Sequence, residues 1–403
     1  MRMPTKGFSK LAEFLVVAIC IVTFIIVALG SGIELLQLEA PGTRDFIEYW
    51  ASGHQIIHRA NPYDVSGLLQ LERSAGFPAG RFPLVMWNPP FALPLVLPLG
   101  ALGAETGFLL WELLLLASLI AAVKMIAAMH GRRKSPLNLL AYSFAPVLSC
   151  FISGQVTIFI LLGVVLFLKL HRTRPFMAGA SLWLCLLKPH LFLPFGVVLL
   201  LWIVVTRSYK ILAGTACAVA AGSILASIMD PLVWIQYAQL MRDSKADRLS
   251  IPSLSTLLRH VVYPHSFLLQ CLPACLACVW AVVYFLKRRK EWDWIKHGSV
   301  LLLVSVLVAP YTWFMDQAVA IPALLRGAYL TRSRTLIAVL ALLSAIIEIG
   351  LIRNIPLLYS VLYVWTAPAW LVWYLLATRR KEDTAVRAFV DTTVGVLRPT
   401  VGE

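Results

Sequence analysis

Charge is scarce in this chain: Asp, Glu, Lys and Arg make up 14% of its 403 residues. Soluble domains carry about a quarter, so the shortage excludes an ordinary soluble fold. Paired cysteine ligands are missing too. The seven cysteines, Cys20, Cys150, Cys185, Cys217, Cys271, Cys275 and Cys278, all lie in apolar stretches, and none forms a CxxC beside polar residues. Neither a disulfide framework nor a zinc site is indicated. Cys271, Cys275 and Cys278 share a helix face by spacing, which suits small packing residues in a membrane helix. Nothing has metal-ligand spacing, and no metal or other cofactor is expected. No internal repeat is visible. No small-residue cleavage site follows the first apolar run, so Leu11 to Gly30 reads as a retained first span and not as a removed signal peptide.

What is present is apolar: 60% of the residues are hydrophobic and the mean hydropathy is +0.81. Almost every part of the chain belongs to an apolar run, and about 20 such residues cross a bilayer as one helix. Backbone groups in lipid must be satisfied within their own segment. The expected fold is therefore an all-α polytopic membrane protein, a bundle of about 11 to 13 transmembrane helices. Residues 1–380 read as a single membrane domain with outer loops at 31–87 and 230–266, followed by a polar cytoplasmic tail at 381–403.

The net charge of +15 sits in short clusters between apolar runs: Arg132 to Lys134, Arg172 and Arg174, Arg207 and Lys210, Lys287 to Lys290, Arg332 and Arg334, and Arg379 to Lys381. That is the positive-inside pattern. A nucleic-acid face would need the clusters brought together, so nucleic acid is not an expected partner. With these turns inside, the first span delivers Glu34 through Met86 to the outer face of the cell membrane. Asn88 to Met129 is too long for one straight helix, and Pro89, Pro90, Pro94 and Pro98 predict a broken or re-entrant first half. Two later regions share a design of short apolar run, polar tip and second short apolar run. One spans Leu137 to Leu170 with the tip at 153–155 (Ser-Gly-Gln), the other Phe176 to Thr206 with the tip at 188–190 (Lys-Pro-His). Both tips point to the same side as Asp45, and so does Asp316. Polar tips converging on one face mark a pocket.

The richest polar stretch is 44–98, RDFIEYWASGHQIIHRANPYD and onward. Asp45 follows the first span and precedes Phe46, Tyr49 and Trp50. A carboxylate packed among aromatics at a membrane boundary can serve as a general base; the plainer reading is a solvated loop acid or a helix N-cap. Lys188 lies between apolar runs, where an ammonium must snorkel or meet an anion, and a phosphate is one such anion. His190 is a second phosphate donor or an interfacial histidine. Gln155 suits a sugar hydroxyl or a cap. Asp316 is a helix N-terminal acid or a second functional carboxylate. Residues 61–64, Asn-Pro-Tyr-Asp, form a turn by their own chemistry.

These pieces, RDFIEYW, NPYD, WNPPFALPLVLPLGAL, SGQVTIFILL, LKPHLFLPFGVVLLL and APYTWFMDQ in that order, give a chain that resembles the membrane mannosyltransferases of glycosyltransferase family 87. This is a branch of the polytopic GT-C class, and the resemblance runs from residue 44 to about 330. It implies a GT-C-like bundle whose extracytoplasmic loops form the active site, and a transferase that moves a sugar from a polyprenyl-phosphate donor to a lipid or glycan acceptor. Asp45 is then the catalytic base. Lys188, His190 and Arg44 meet the donor phosphate, and Tyr49, Trp50, Asn88, Gln155 and Asp316 bind substrate. The chain departs from the family where a histidine often follows Ser-Pro-x-x-Trp: here stand Ala309 for the Ser, and Phe314, Met315 and Asp316. A transporter or a lipid or glycan flippase is the alternative reading, since broken helices and buried charge occur there too.

Overall fold

The computed structural model describes residues 14–15, 17–19, 21–23, 25–26, 41–243, 251, 253–353 and 360–379. Half of the expected first span, residues 31–40 and 244–250, and the expected tail at 381–403 lie outside the described residues, and with them Cys20, Lys245, Asp247 and Arg248. The described residues contain no strand.

The chain order explains how polar groups come to one end. The outer stretch folds into two short helices, α1 (Phe46–Ile57) and α2 (Val65–Ser74), followed by the Pro-broken α3 (Leu93–Gly100) and the long α4 (Ala104–Met129). Next come α5 (Leu139–Tyr142), α6 (Ala145–Ser153), α7 (Thr157–Leu170), α8 (Pro175–Ser181), α9 (Leu193–Thr206) and α10 (Lys210–Met229). The second loop region carries α11 (Val233–Asp243) and α12 (Leu254–Val262), and α13 (Phe267–Arg288), α14 (His297–Val308), α15 (Ile321–Leu330) and α16 (Arg334–Ile352) follow. A last apolar helix covers Val361–Arg379.

Six helices among the described residues are long and apolar enough to span, or up to seven if the α5–α6 pair, bent by 42°, counts as one. That is fewer than the sequence predicts: the expected first span is only partly among the described residues, and other apolar helices fall short in length. At 1.5 Å per residue, 14-residue α7 reaches about 21 Å and 12-residue α14 about 18 Å, short of the roughly 30 Å hydrocarbon core. Both are instead largely buried inside the bundle. The stretch from Asn88 does break as expected: Pro90–Gly100 is short, and only Ala104–Met129 is a full span.

Two close approaches fix the polar end. Gly53 of α1 crosses Gly100 of α3 so tightly that a Cβ on Gly100 would stand 2.1 Å from the Gly53 carbonyl carbon. Gly154, which ends α6, takes φ 73°, a left-handed conformation that glycine adopts without strain. A Cβ there would also meet the Phe46 Cβ at 2.6 Å. The tip therefore turns sharply against the start of α1 and aims Gln155 at Asp45.

The turn at 61–64 is scaffold. The Asn61 side chain accepts the Tyr63 N–H at 2.9 Å, and Asp64 caps α2 by accepting the N–H groups of Ser66 and Gly67 at 3.3 and 3.0 Å. Opposite the tips, the basic turns gather. Arg172 pairs with Asp293 at 3.6 Å, and the Tyr329 hydroxyl donates to Asn138. Helices α4, α7 and α9 each run from the polar-tip end to the basic end, and α14 runs back from the basic end to the polar one.

Candidate active site

Asp45 occupies the N-cap position of α1 but makes no side-chain cap bond. Its Oδ2 instead accepts the Gln155 Nε2–H at 2.8 Å. Of the sequence readings, general base, solvated loop acid and helix N-cap, the cap is excluded: the carboxylate turns toward the 153–155 tip. Gln155 then carries the contact onward, because its Oε1 accepts from both the Tyr49 hydroxyl at 3.1 Å and the Lys188 ammonium at 3.0 Å.

Lys188 continues the chain to Asp316, whose Oδ1 lies 2.7 Å from its Nζ. Thr157 donates to the same oxygen at 2.8 Å, and the Trp313 N–H donates to Oδ2 at 2.9 Å. Asp316 thus caps the turn at Phe314–Ala320 and also serves as the counter-ion of Lys188. The first sequence reading, a helix N-terminal acid, matches the cap bond from the Trp313 N–H. Burial alone would lower Lys188 and raise Asp316. The partner's opposite charge reverses both, holding Lys188 above and Asp316 below its ordinary range, as a close ion pair does.

Two of the three ammonium N–H groups are engaged, by Gln155 and Asp316. An ammonium has three donors, and the Lys188 side chain keeps 13% of its surface exposed. Among the described residues no protein group is seen to take the third.

Glu48 lies one turn along α1 from Asp45. Burial, and then the Asp45 charge, push its pKa up to about 8. Near pH 7 the protonated form of Glu48 is therefore favoured.

Apart from Tyr49, whose hydroxyl joins it at Gln155, the other residues named from sequence surround this chain. Asn88 is buried, and its amide donates to the Leu187 carbonyl at 2.7 Å, while its own backbone carbonyl takes the Tyr63 hydroxyl. It fixes the backbone just before Lys188. Tyr49 stacks on Trp111 with centroids 5.2 Å apart. Trp50 donates to the Leu102 carbonyl at 2.9 Å, which ties α1 to the α3–α4 turn. Arg44 donates to the Ile152 carbonyl at 2.9 Å and lies over the Phe108 ring. His190 packs on Tyr311 with centroids 4.0 Å apart, beside the Lys188 group.

Sequence reasoning missed Thr157 and Trp111. Thr157 stands two residues after Gln155, where a hydroxyl opening an apolar helix was the available signal. Trp111 offered none, for an indole inside a span looks like packing. Its Nε1 donates to the Gly154 carbonyl at 2.7 Å, which holds the tip in place.

The arrangement puts a carboxylate and an ammonium on the two ends of one amide. A base and a cation so fixed can deprotonate a hydroxyl and neutralise a departing anion. No curated protein and no solved structure matches the chain. The model of glycosyltransferase family 87 matches residues 87–310. That match covers Asn88, Gln155, Lys188 and His190, with Asp45 before it and Asp316 after it. Since it spans more than half of an all-helical, multi-pass membrane chain, the protein belongs to glycosyltransferase family 87 and is a membrane glycosyltransferase.

Proposed function

We propose that this enzyme transfers a sugar, mannose or another hexose or pentose, from a polyprenyl-phosphate donor to a hydroxyl of a lipid or glycan acceptor, at the extracytoplasmic face of the cell membrane. The observation that carries the reading is the bridge Asp45–Gln155–Lys188. Asp45 takes the proton of the acceptor hydroxyl while that oxygen attacks the anomeric carbon. The bond from that carbon to the phosphate oxygen breaks, and the lipid phosphate leaves with its electron pair. The free N–H of Lys188 meets the charge that builds there. Tyr49, which donates to the same Gln155 oxygen, fixes the amide so that its NH2 faces Asp45 and its oxygen faces Lys188.

Purified protein incubated with a panel of polyprenyl-phosphate sugars and candidate acceptors should release lipid phosphate with one donor class. Release from nucleotide sugars alone would overturn the donor assignment. The side assignment rests on the basic turns lying at the end of the bundle opposite Asp45. A cysteine in place of the exposed Gln70 of α2 should react with a membrane-impermeant maleimide in intact cells, measured against the parent chain. Labelling only after the cytoplasmic side is opened would place the site inside.

A further inference from the structure

At the end of α4 remote from Asp45 lies a cavity of about 530 Å³ whose polar lining is Lys124, Arg133, Lys169, Asn138 and Tyr142. Gly107, near the first turn of α4, packs against Trp50. Lys124 comes seventeen residues later, about 25 Å further along the helix axis. The cavity is separate from the site described above.

Three cations line it and no carboxylate does. The ion pairs seen among the described residues engage Arg172 and Lys188, not these three. Asn138 shapes the floor: its amide donates to the carbonyls of Arg132 and Arg133 at 3.2 and 3.3 Å, and its oxygen takes the Tyr329 hydroxyl. The turn that carries Arg133 is thereby held against α15.

The position of Lys124 points to what enters. It is exposed, yet it belongs to the membrane span Ala104–Met129, five residues before its end. A cation at that depth is costly unless it reaches the interface or pairs with an anion. The remaining walls, Val123, Met125, Ala127 and Ala128, are apolar. Convergent cations at a helix end beside an apolar wall suit a ligand that is anionic at its head and apolar below.

We infer that this cavity binds a phosphate-bearing anion, supplied as the headgroup of an anionic lipid. Basic pockets between membrane helices are suited to such headgroups. Lys124 and Lys169 approach from α4 and α7 and Arg133 from the turn between α4 and α5, so the headgroup ties two helices and a turn of the basic end together.

The test uses the full-length protein in detergent, with phosphatidylglycerol, phosphatidylcholine or inorganic phosphate as probe. Native mass spectrometry reads bound lipid, and thermal melting reads stabilisation. The parent should retain phosphatidylglycerol over phosphatidylcholine and melt higher with it, with no shift from inorganic phosphate at equal concentration. The triple variant Lys124→Gln, Arg133→Gln, Lys169→Gln should bind phosphatidylglycerol at least about tenfold more weakly. All three side chains are exposed, so the variant should fold. A control triple variant at Lys287, Arg288 and Lys290, a basic cluster outside the cavity, should bind as the parent does. Equal loss in both triple variants, or no preference for phosphatidylglycerol, overturns the site. A full shift with inorganic phosphate overturns the lipid as its source.

Discussion

Asp45→Asn is expected to lower turnover by about 10²- to 10⁴-fold, with folding and donor binding nearly intact. Asn keeps the size of the side chain and an oxygen for the Gln155 amide, but it cannot take the acceptor's proton. The paired variant is Glu48→Gln, and its expected effect on rate is mild. Glu48 is already protonated at pH 7, its pKa pushed to about 8 by burial and by Asp45, so Gln mimics the form present. The same pKa gives a second readout. Glu48 has an ordinary value of 4.5 and a folded value of about 8. Between these values the folded state keeps a proton that the unfolded chain has lost. Its contribution therefore weakens stability as pH rises through that window, and levels off above the folded pKa. Glu48→Gln should flatten that slope in thermal melts taken from pH 5 to pH 8. A dead Glu48→Gln beside an active Asp45→Asn would move the base to Glu48, and two active variants would remove the main support for the mechanism.

The fold class was legible because it rests on bulk properties. Few charges and clusters of Lys and Arg between apolar runs leave little besides a helical membrane bundle. The polar tips were legible for the same reason, since Gln155 and Lys188 interrupt runs that are otherwise continuous. Span counting failed where the interruption itself shortens the helix: α7 and α14 are apolar enough to span but not long enough, and only the packing shows them enclosed by other helices. Pairings were hidden by distance along the chain. Lys188 and Asp316 are 128 positions apart, and Asp45 and Gln155 are 110 apart. Sequence showed that Lys188 must snorkel or meet an anion, but could not supply that anion's address. The chain itself provides one such anion, Asp316. Asn88, placed by resemblance among the substrate ligands, donates an amide N–H to the Leu187 carbonyl, a bond to the residue before Lys188 that the sequence could not show. The cavity around Lys124 was equally out of reach. Its three cations read one by one as topology signals, and only the turn held by Asn138 brings them to one space.

The Lys188–Asp316 ion pair sets up the second large effect. Lys188→Met should lower turnover by about 10²- to 10³-fold, the usual loss when a group facing developing negative charge is removed. It should also destabilise the protein, because Asp316, 1% exposed, is left as a buried charge without its cation, a cost of about 3 to 5 kcal/mol. One variant therefore confounds two roles of the same side chain. Pairing it with Asp316→Asn separates them. The double variant has no buried charge to strand, and the asparagine side chain keeps an oxygen for one of the donors that Asp316 accepts from, so the melting temperature should recover most of what Lys188→Met lost. Turnover should not recover, because nothing in the double variant meets the departing phosphate. Lys188→Arg keeps the charge with a different reach and a planar head, and should retain part of the activity. The comparison is made with the donor found active in the panel, on detergent-purified protein, by turnover and thermal melt together. If the double variant regains both stability and turnover, Lys188 serves only to hold Asp316, and the leaving phosphate is met by another group.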